Sequence, residues 1–225
     1  MTYFEKININ VDKKRLVKYI DQLKTLHPNP HFPYRPGYGG WSLQSTEING
    51  SYADCWKVSR YFNTPTENTS PSIEREDILN QKYSTDCRFG YISEIMDQLE
   101  SLGFLLRRSR IAMMPGRDGT KIHRDCDDDI YRVRIHVPII TNNHCYHIWY
   151  NNEGDQELHR EHLSPGNVYA IKVNNVHQAI NDGLTTRYHL VMTAWDINGY
   201  TETMKFKSDV ATLYAGGAGQ KQLGL

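Results

Sequence analysis

At 225 residues, with 26 basic side chains against 26 acidic ones, the chain is long enough to bury a sizeable core and has no net formal charge. That balance excludes the broad basic footprint of a nucleic-acid binder, although it leaves room for a small basic pocket. Fifteen tyrosines and four tryptophans suit strands and ligand walls as well as core.

The opening, MTYFEKININVDKK, has no apolar leader, and no run approaches the roughly 20 apolar residues that cross a bilayer. Residues 11–26, VDKKRLVKYIDQLKTL, space Leu16, Ile20, Leu23 and Leu26 for one face of an amphipathic helix. HPNPHFPYRPGYGG (27–40) is rich in Pro, Gly and aromatics and reads as an ordered loop. Residues 60–86 are polar and turn-rich, with room for a short helix near Arg75–Lys82. GYISEIMDQLESL (90–102) predicts a second amphipathic helix on Ile92, Ile95, Leu99 and Leu102, with Gly103 as its C-terminal cap.

From Phe104 the texture changes. Runs rich in β-branched and aromatic residues follow one another: LLRRSRIAMM, KIHRD, IYRVRIHVPII, CYHIWY, VYAIKV, VHQAIN and TRYHLVMTAW. Turn signals separate them, among them PGRDGT, TNNH, NNEGD and LSPGN. Such spacing predicts an all-β sandwich or barrel. The expected organisation is one structural domain. A helical and loop elaboration (1–103) packs on a β core (104–198), and a tail (199–225) carries a short helix at Ser208–Tyr214. Cys55, Cys87, Cys126 and Cys145 lie far apart with no CxxC pair, so free thiols in a soluble, cytoplasmic protein are expected.

His123 and Asp125 stand at H-x-D spacing, which on a strand puts both side chains on one face. His177 opens another strand about fifty residues on. Two histidines and a carboxylate on one octahedral face leave three positions open, the arrangement of non-haem Fe(II) oxygenases. By itself the spacing is weak evidence, and a surface HRD with a buried histidine is the commoner account of it. Around it, Arg132, Arg134 and His136 share one face of IYRVRIHVP, opposite Val133, Ile135 and Val137. Arg187 follows His177 by ten residues, with His189 two further on. An arginine there can take the far carboxylate of a dicarboxylic acid through a two-point fork, while Arg134 and His136 hold the near one.

These motifs, RIAMMPG (110–116), KIHRD (121–125), RVRIHVPI (132–139), LSPGNVYAI (163–171), HQAIN (177–181) and RYHLVMTAWD (187–196), occur in the order seen in a known family. Over some 85–90 residues the β-rich half resembles the iron(II)/2-oxoglutarate-dependent oxygenases, and among them the aspartyl/asparaginyl β-hydroxylase-like group. The resemblance implies a double-stranded β-helix, a jelly-roll or cupin-like core in a mainly β chain with N-terminal helices. It implies Fe(II) on His123, Asp125 and His177, 2-oxoglutarate on Arg187 with Arg134 and His136 at its 1-carboxylate, and O2 as cosubstrate. Some founding members carry glycine where this chain has Asp125, and a shorter segment than DCDDDIYRV. A full triad places the chain nearer the small-molecule and proline-type hydroxylases. An N-terminal loop covers the mouth of related barrels, so Trp41, in GYGGWSLQS, is a candidate substrate contact, as is Arg132, although Trp41 also fits a core anchor.

The activity so implied is hydroxylation of an amino acid or of a peptidyl Asp, Asn or Pro side chain. Its partners would be a small molecule or a peptide, with no nucleic acid, no membrane and an unreadable oligomeric state. Two rivals stand beside it: a cupin-like metal-dependent isomerase or hydrolase, and a non-enzymatic β-sandwich binding module. DCDDD (125–129) begins like a calcium loop, but Ile130 and His136 stand where Gly and Glu belong. PGRDGT lacks the GK[ST] of a phosphate loop. The histidines of NHCYH (143–147) and HREH (159–162) lack the cysteine partners of structural zinc and read as exposed strand histidines.

Overall fold

In a computed structural model of the chain, the described residues are 3–53, 79–125 and 132–196, the side chains of 33–35 and 196 excepted. They form, in order, β1 (Phe4–Ile7), α1 (Lys13–Leu26), β2 (His31–Arg35), β3 (Tyr38–Ser42), β4 (Gln44–Ser45), β5 (Tyr83–Ser84), α2 (Gly90–Ser101) and β6 (Phe104–Met114). After β6 come β7 (Asp118–Gly119), β8 (Arg132–Ile140), β9 (Cys145–Tyr150), β10 (Glu157–Glu161), β11 (Val168–Lys172), β12 (His177–Asn181) and β13 (Arg187–Asp196).

Both helices start where the apolar spacing puts them. Asp12 caps α1, its carboxylate accepting from the backbone N–H of Lys14 at 2.8 Å and of Arg15 at 3.2 Å. The buried face of α1 is Leu16, Tyr19, Ile20 and Leu23, and Leu26 is left exposed. Ile92, Ile95, Met96 and Leu99 of α2 join the same cluster as Val133, Ile135 and Val137 of β8 and Leu190 and Met192 of β13. Each fully buried Leu or Ile there contributes about 1.5–3 kcal/mol, so the helices fix one face of the sheet. The other face is left for the site.

Strands β1, β11, β8, β13, β6, β3 and β2 make a seven-stranded sheet in that order, and β10, β9, β12 and β7 make a four-stranded one. All the pairings are antiparallel. The result is a mainly β domain with N-terminal helices. Trp149, Leu163, Tyr169, Ile171 and Val173 form a second apolar cluster, drawn from strands of both sheets.

Two expectations need correction. Residues 27–40 are not a loop throughout, because β2 and β3 form a hairpin whose second strand pairs with β6. Glycine makes this possible. A Cβ on Gly40, at φ +144°, would lie 1.8 Å from the Ile111 carbonyl oxygen, so only a bare backbone comes that close. KIHRD is not a strand either, and His123 makes a single isolated bridge to His177. Strands β1 and β10 had no clear alternation to announce them. The expected helices near 75–82 and 208–214 fall largely or wholly outside the described residues, as do Cys55 and Cys126, whereas Cys87 and Cys145 are buried free thiols.

Gly40→Ala should therefore cost about 3 kcal/mol or more in denaturant unfolding. Gly90→Ala, at φ +55° but with nothing within 4 Å of the new Cβ, should cost about 1 kcal/mol. Equal losses would contradict the close approach of β3 to β6.

Candidate metal centre and its crevice

His123 and His177 face each other across a reciprocal backbone pair. The His123 N–H donates to the His177 carbonyl at 3.0 Å, and the His177 N–H returns to the His123 carbonyl at 2.8 Å. Directly opposed residues in an antiparallel pair project to the same side, and the two imidazole centroids lie 4.5 Å apart. Two residues on, the Asp125 N–H donates to the Val173 carbonyl at 3.0 Å, which returns its carboxylate to the same spot. The oxygens of Asp125 stand 3.5 Å from His123 Nε2 and 4.0 Å from His177 Nε2. One donor atom from each of the three lies within 4.8 Å of the others.

The tautomers follow from the backbone. His123 Nδ1 is 2.7 Å from the Lys121 carbonyl, and His177 Nδ1 is 2.8 Å from that of Asn175. A carbonyl can only accept, so each Nδ1 carries a proton, and each Nε2, bare whenever its ring is neutral, is turned toward Asp125. Ligating histidines are oriented in this way. Burial holds His177 down to about 4 against the opposing pull of Asp125, so it is neutral at physiological pH. Burial also acts to lower His123, but its hydrogen bond to Asp125 and that carboxylate's charge outweigh the effect and raise it. Asp125 is kept well below the usual carboxylate range, because Arg134 and then His123 overcome the cost of burying its charge. Arg134 donates to one Asp125 oxygen, and Arg132 Nη2 donates to the Asp125 backbone carbonyl at 2.6 Å.

Beside this cluster runs a buried crevice lined by histidine and arginine. His147 of β9 stacks on His177 with centroids 5.1 Å apart and planes at 15°. It also meets His136 of β8 edge-on at 5.7 Å, and His136 meets His189 of β13 at 5.8 Å. All three are pushed well down, first by burial and then by neighbouring charges that include Arg187, so they are neutral. Arg187 itself is only 7% exposed, beside Tyr38 and Cys145, and its pKa is lowered by burial. Among the described residues no carboxylate pairs with it.

Thus His123, Asp125, His177 and Arg134 converge, His136 and Arg187 line the adjoining crevice, and Arg132 grips the Asp125 backbone. Trp41 does not reach this site. It is buried in the helix-side cluster, its indole N–H donating to the His27 carbonyl at 2.9 Å, so it is a core anchor. His147, expected to be exposed, is buried at 4%, whereas its neighbour His144 is exposed. The signal was available in CYHIWY, where Cys145 and Trp149, both buried, bracket His147 at strand period. A second cluster, His27, Asp86 and Cys87, also brings donors together. Burial drives the Cys87 thiol well up, and the Asp86 side chain is 66% exposed, so it offers a metal little.

A family model for aspartyl/asparaginyl beta-hydroxylase matches residues 45–196, more than half of the chain. The chain belongs to this family, and with it to the iron(II)/2-oxoglutarate oxygenases. Similar solved structures include an oxidoreductase of the 2OG-Fe(II) oxygenase family from Burkholderia pseudomallei, with 14% identity and a TM-score of 0.39 over 48% of this chain and 57% of that one. A prolyl-4-hydroxylase from Pseudomonas putida shares 12% identity at a TM-score of 0.43, over 86% and 93%. AviO1 from Streptomyces viridochromogenes Tue57 shares 11% at 0.45, over 86% and 90%. Likenesses this distant carry nothing about substrate, and the chain spans little more than half the length of the Burkholderia protein. No curated protein matches the chain.

Among the described residues no helix is long and apolar enough to cross a membrane.

The charge pattern fixes a pH signature for the metal-free protein. The depressed Asp125 contributes stability above the unfolded carboxylate value near 4, and that contribution is lost as pH falls through the folded value. The raised His123 contributes below about 6.5, and that share is lost as pH rises through its folded value. Denaturant unfolding in chelator should therefore show the wild type's advantage over Asp125→Asn to be greatest between about pH 4 and 6.5. A flat difference would contradict the ion pairs.

Proposed function

We propose that the chain is an Fe(II)- and 2-oxoglutarate-dependent dioxygenase that hydroxylates an amino acid or a peptidyl side chain of the Asp, Asn or Pro type. One observation carries this reading. Two imidazole nitrogens and a carboxylate lie within 4.8 Å of one another, and the adjoining crevice, reached through His147 and His136, holds a buried guanidinium, Arg187, that no described carboxylate neutralises. A set of two imidazoles and one carboxylate fits iron(II) and leaves ligand positions open. The arginine fits the far end of a dicarboxylic acid.

His123, Asp125 and His177 would hold the metal. When bound, iron with 2-oxoglutarate and O2 supplies the oxidising power that turns C–H into C–OH while the acid is decarboxylated to succinate and CO2. The chain's own share is placement. Arg187 takes the far carboxylate, and Arg134 and His136 the near one, with Arg134 shared between the acid and Asp125. Arg132 keeps the Asp125 loop in place. Its Nε, buried and without an acceptor, makes it the candidate for an anionic group on the substrate. The neutral histidines add donors without adding charge to a crevice already rich in it.

A double-stranded β-helix is the architecture we assign to the core. Its support is the alternation of the last eight strands, with β6, β8, β11 and β13 in the larger sheet and β7, β9, β10 and β12 in the smaller. Free buried thiols at Cys87 and Cys145 support a reducing, cytoplasmic setting.

Purified protein reconstituted with Fe(II) should bind one metal ion and release succinate from 2-oxoglutarate. His123→Ala should abolish both, while His27→Ala should leave both intact. Arg187→Ala should keep the metal but raise the KM for 2-oxoglutarate about a hundredfold, the loss expected for a desolvated carboxylate fork. A binding module would show no stoichiometric iron. A metal isomerase or hydrolase would be indifferent to Arg187, and either result would overturn the proposal.

A further inference from the structure

The assignment above gives no ligand contact to three buried polar side chains, His147, His189 and Thr193. His147 lies between the two sheets, stacked on His177 and edge-on to His136, and neither of its ring nitrogens has a hydrogen-bond partner. His189 Nε2 and Thr193 Oγ1, on the facing strand, are buried without partners as well. Buried polar atoms are almost always satisfied, and each exception calls for an explanation. In this crevice a bound ligand is the natural one. His147 touches the metal cluster through His177, and the Arg187 charge acts on both His147 and His189.

We propose that His147 is a second donor, beside Arg187, to the far carboxylate of the dicarboxylic cosubstrate. This rests on the function proposed above and goes beyond it. Three considerations single out His147. The near carboxylate already has Arg134 and His136, whereas the far one has only the Arg187 fork, and a carboxylate has about four lone-pair sites to fill. A neutral imidazole carries one N–H in either tautomer, so His147 offers a donor whichever nitrogen holds the proton.

His189 is constrained differently. Its Nδ1 lies 3.5 Å from His136 Nδ1, and one of the two must donate to the other. If His136 gives its Nε2–H to the near carboxylate, its Nδ1 accepts, His189 Nδ1 donates, and His189 Nε2 is left bare. His189 then has no proton to offer a carboxylate. His147 has one.

The stack on His177 suggests a competing role, that of a prop for the metal ligand, and two substitutions separate them. His147→Phe keeps a ring against His177 and removes both nitrogens. His147→Gln keeps a donor and removes the ring. Anaerobic titration of the Fe(II)-loaded protein with 2-oxoglutarate, followed by its visible charge-transfer absorbance, gives the acid's Kd. Titration with iron alone gives the metal's.

The phenylalanine variant should bind 2-oxoglutarate about tenfold or more weakly. Its affinity for Fe(II) should stay within about twofold of wild type. Its affinity for oxalate, which shares the near end of the acid and lacks the far carboxylate, should be unchanged. KM for 2-oxoglutarate should rise more than kcat falls, and the glutamine variant should recover most of the loss. His147→Leu, smaller than the ring it replaces, makes the same test should phenylalanine overfill the crevice.

Unchanged 2-oxoglutarate affinity in both apolar variants overturns the inference, as does a loss that follows iron or oxalate equally. In either case normal wild-type turnover leaves the proposed function standing. Wild-type protein that holds iron but never binds 2-oxoglutarate overturns the proposed function and this inference with it.

Discussion

The site depends on the reciprocal backbone pair between His123 and His177. It holds the two imidazoles with centroids 4.5 Å apart at the start of β12, and it fixes the chain on both sides of His123 firmly enough for Asp125 to return to the same point. The bond from Asp125 to Val173 adds the other anchor, because Val173 directly follows β11 of the larger sheet while His177 opens β12 of the smaller. The cluster therefore ties the two sheets together, and its geometry is inherited from backbone hydrogen bonds rather than from long side chains finding one another. Such preorganisation keeps the cost of ordering the ligands within folding and out of binding.

Charge is the second constraint. The chain as a whole is neutral, yet Arg134 and Arg187 are both buried and both act on His136, with Asp125 as the one carboxylate of the metal cluster. Buried guanidinium cannot shed its proton, so the histidines around it yield instead, and His136, His147 and His189 are held neutral. The result is a crevice with the Arg187 charge at one end, the candidate metal-binding cluster with Arg134 on Asp125 at the other and neutral histidines between. A dicarboxylic acid chelating a cation is the ligand that balances both ends.

Much of this was legible in the sequence, and the failures have physical causes. RVRIHVPI read correctly because strand alternation sorts Val133, Ile135 and Val137 from Arg132, Arg134 and His136 whatever the strand pairs with. The same rule applies to CYHIWY, where His147 shows that a histidine can sit within a buried face when the crevice it lines is polar. The glycines and aromatics of 27–40 read as a loop for another reason. Their fate is decided by β6, some seventy residues away, which accepts the glycine backbone of β3 as a neighbouring strand. Pairing at that distance leaves no local trace. The H-x-D pair meets His177 through a different geometry from the one expected, a lone bridge rather than a strand.

The most direct measurement is an anaerobic crystal structure with Mn(II) and N-oxalylglycine, an unreactive mimic of the acid. The account predicts one ion on His123 Nε2, His177 Nε2 and an Asp125 oxygen, with the mimic's far carboxylate on the Arg187 guanidinium. An ion seated instead between His27, Asp86 and Cys87, or a mimic that leaves Arg187 without a carboxylate, would contradict it.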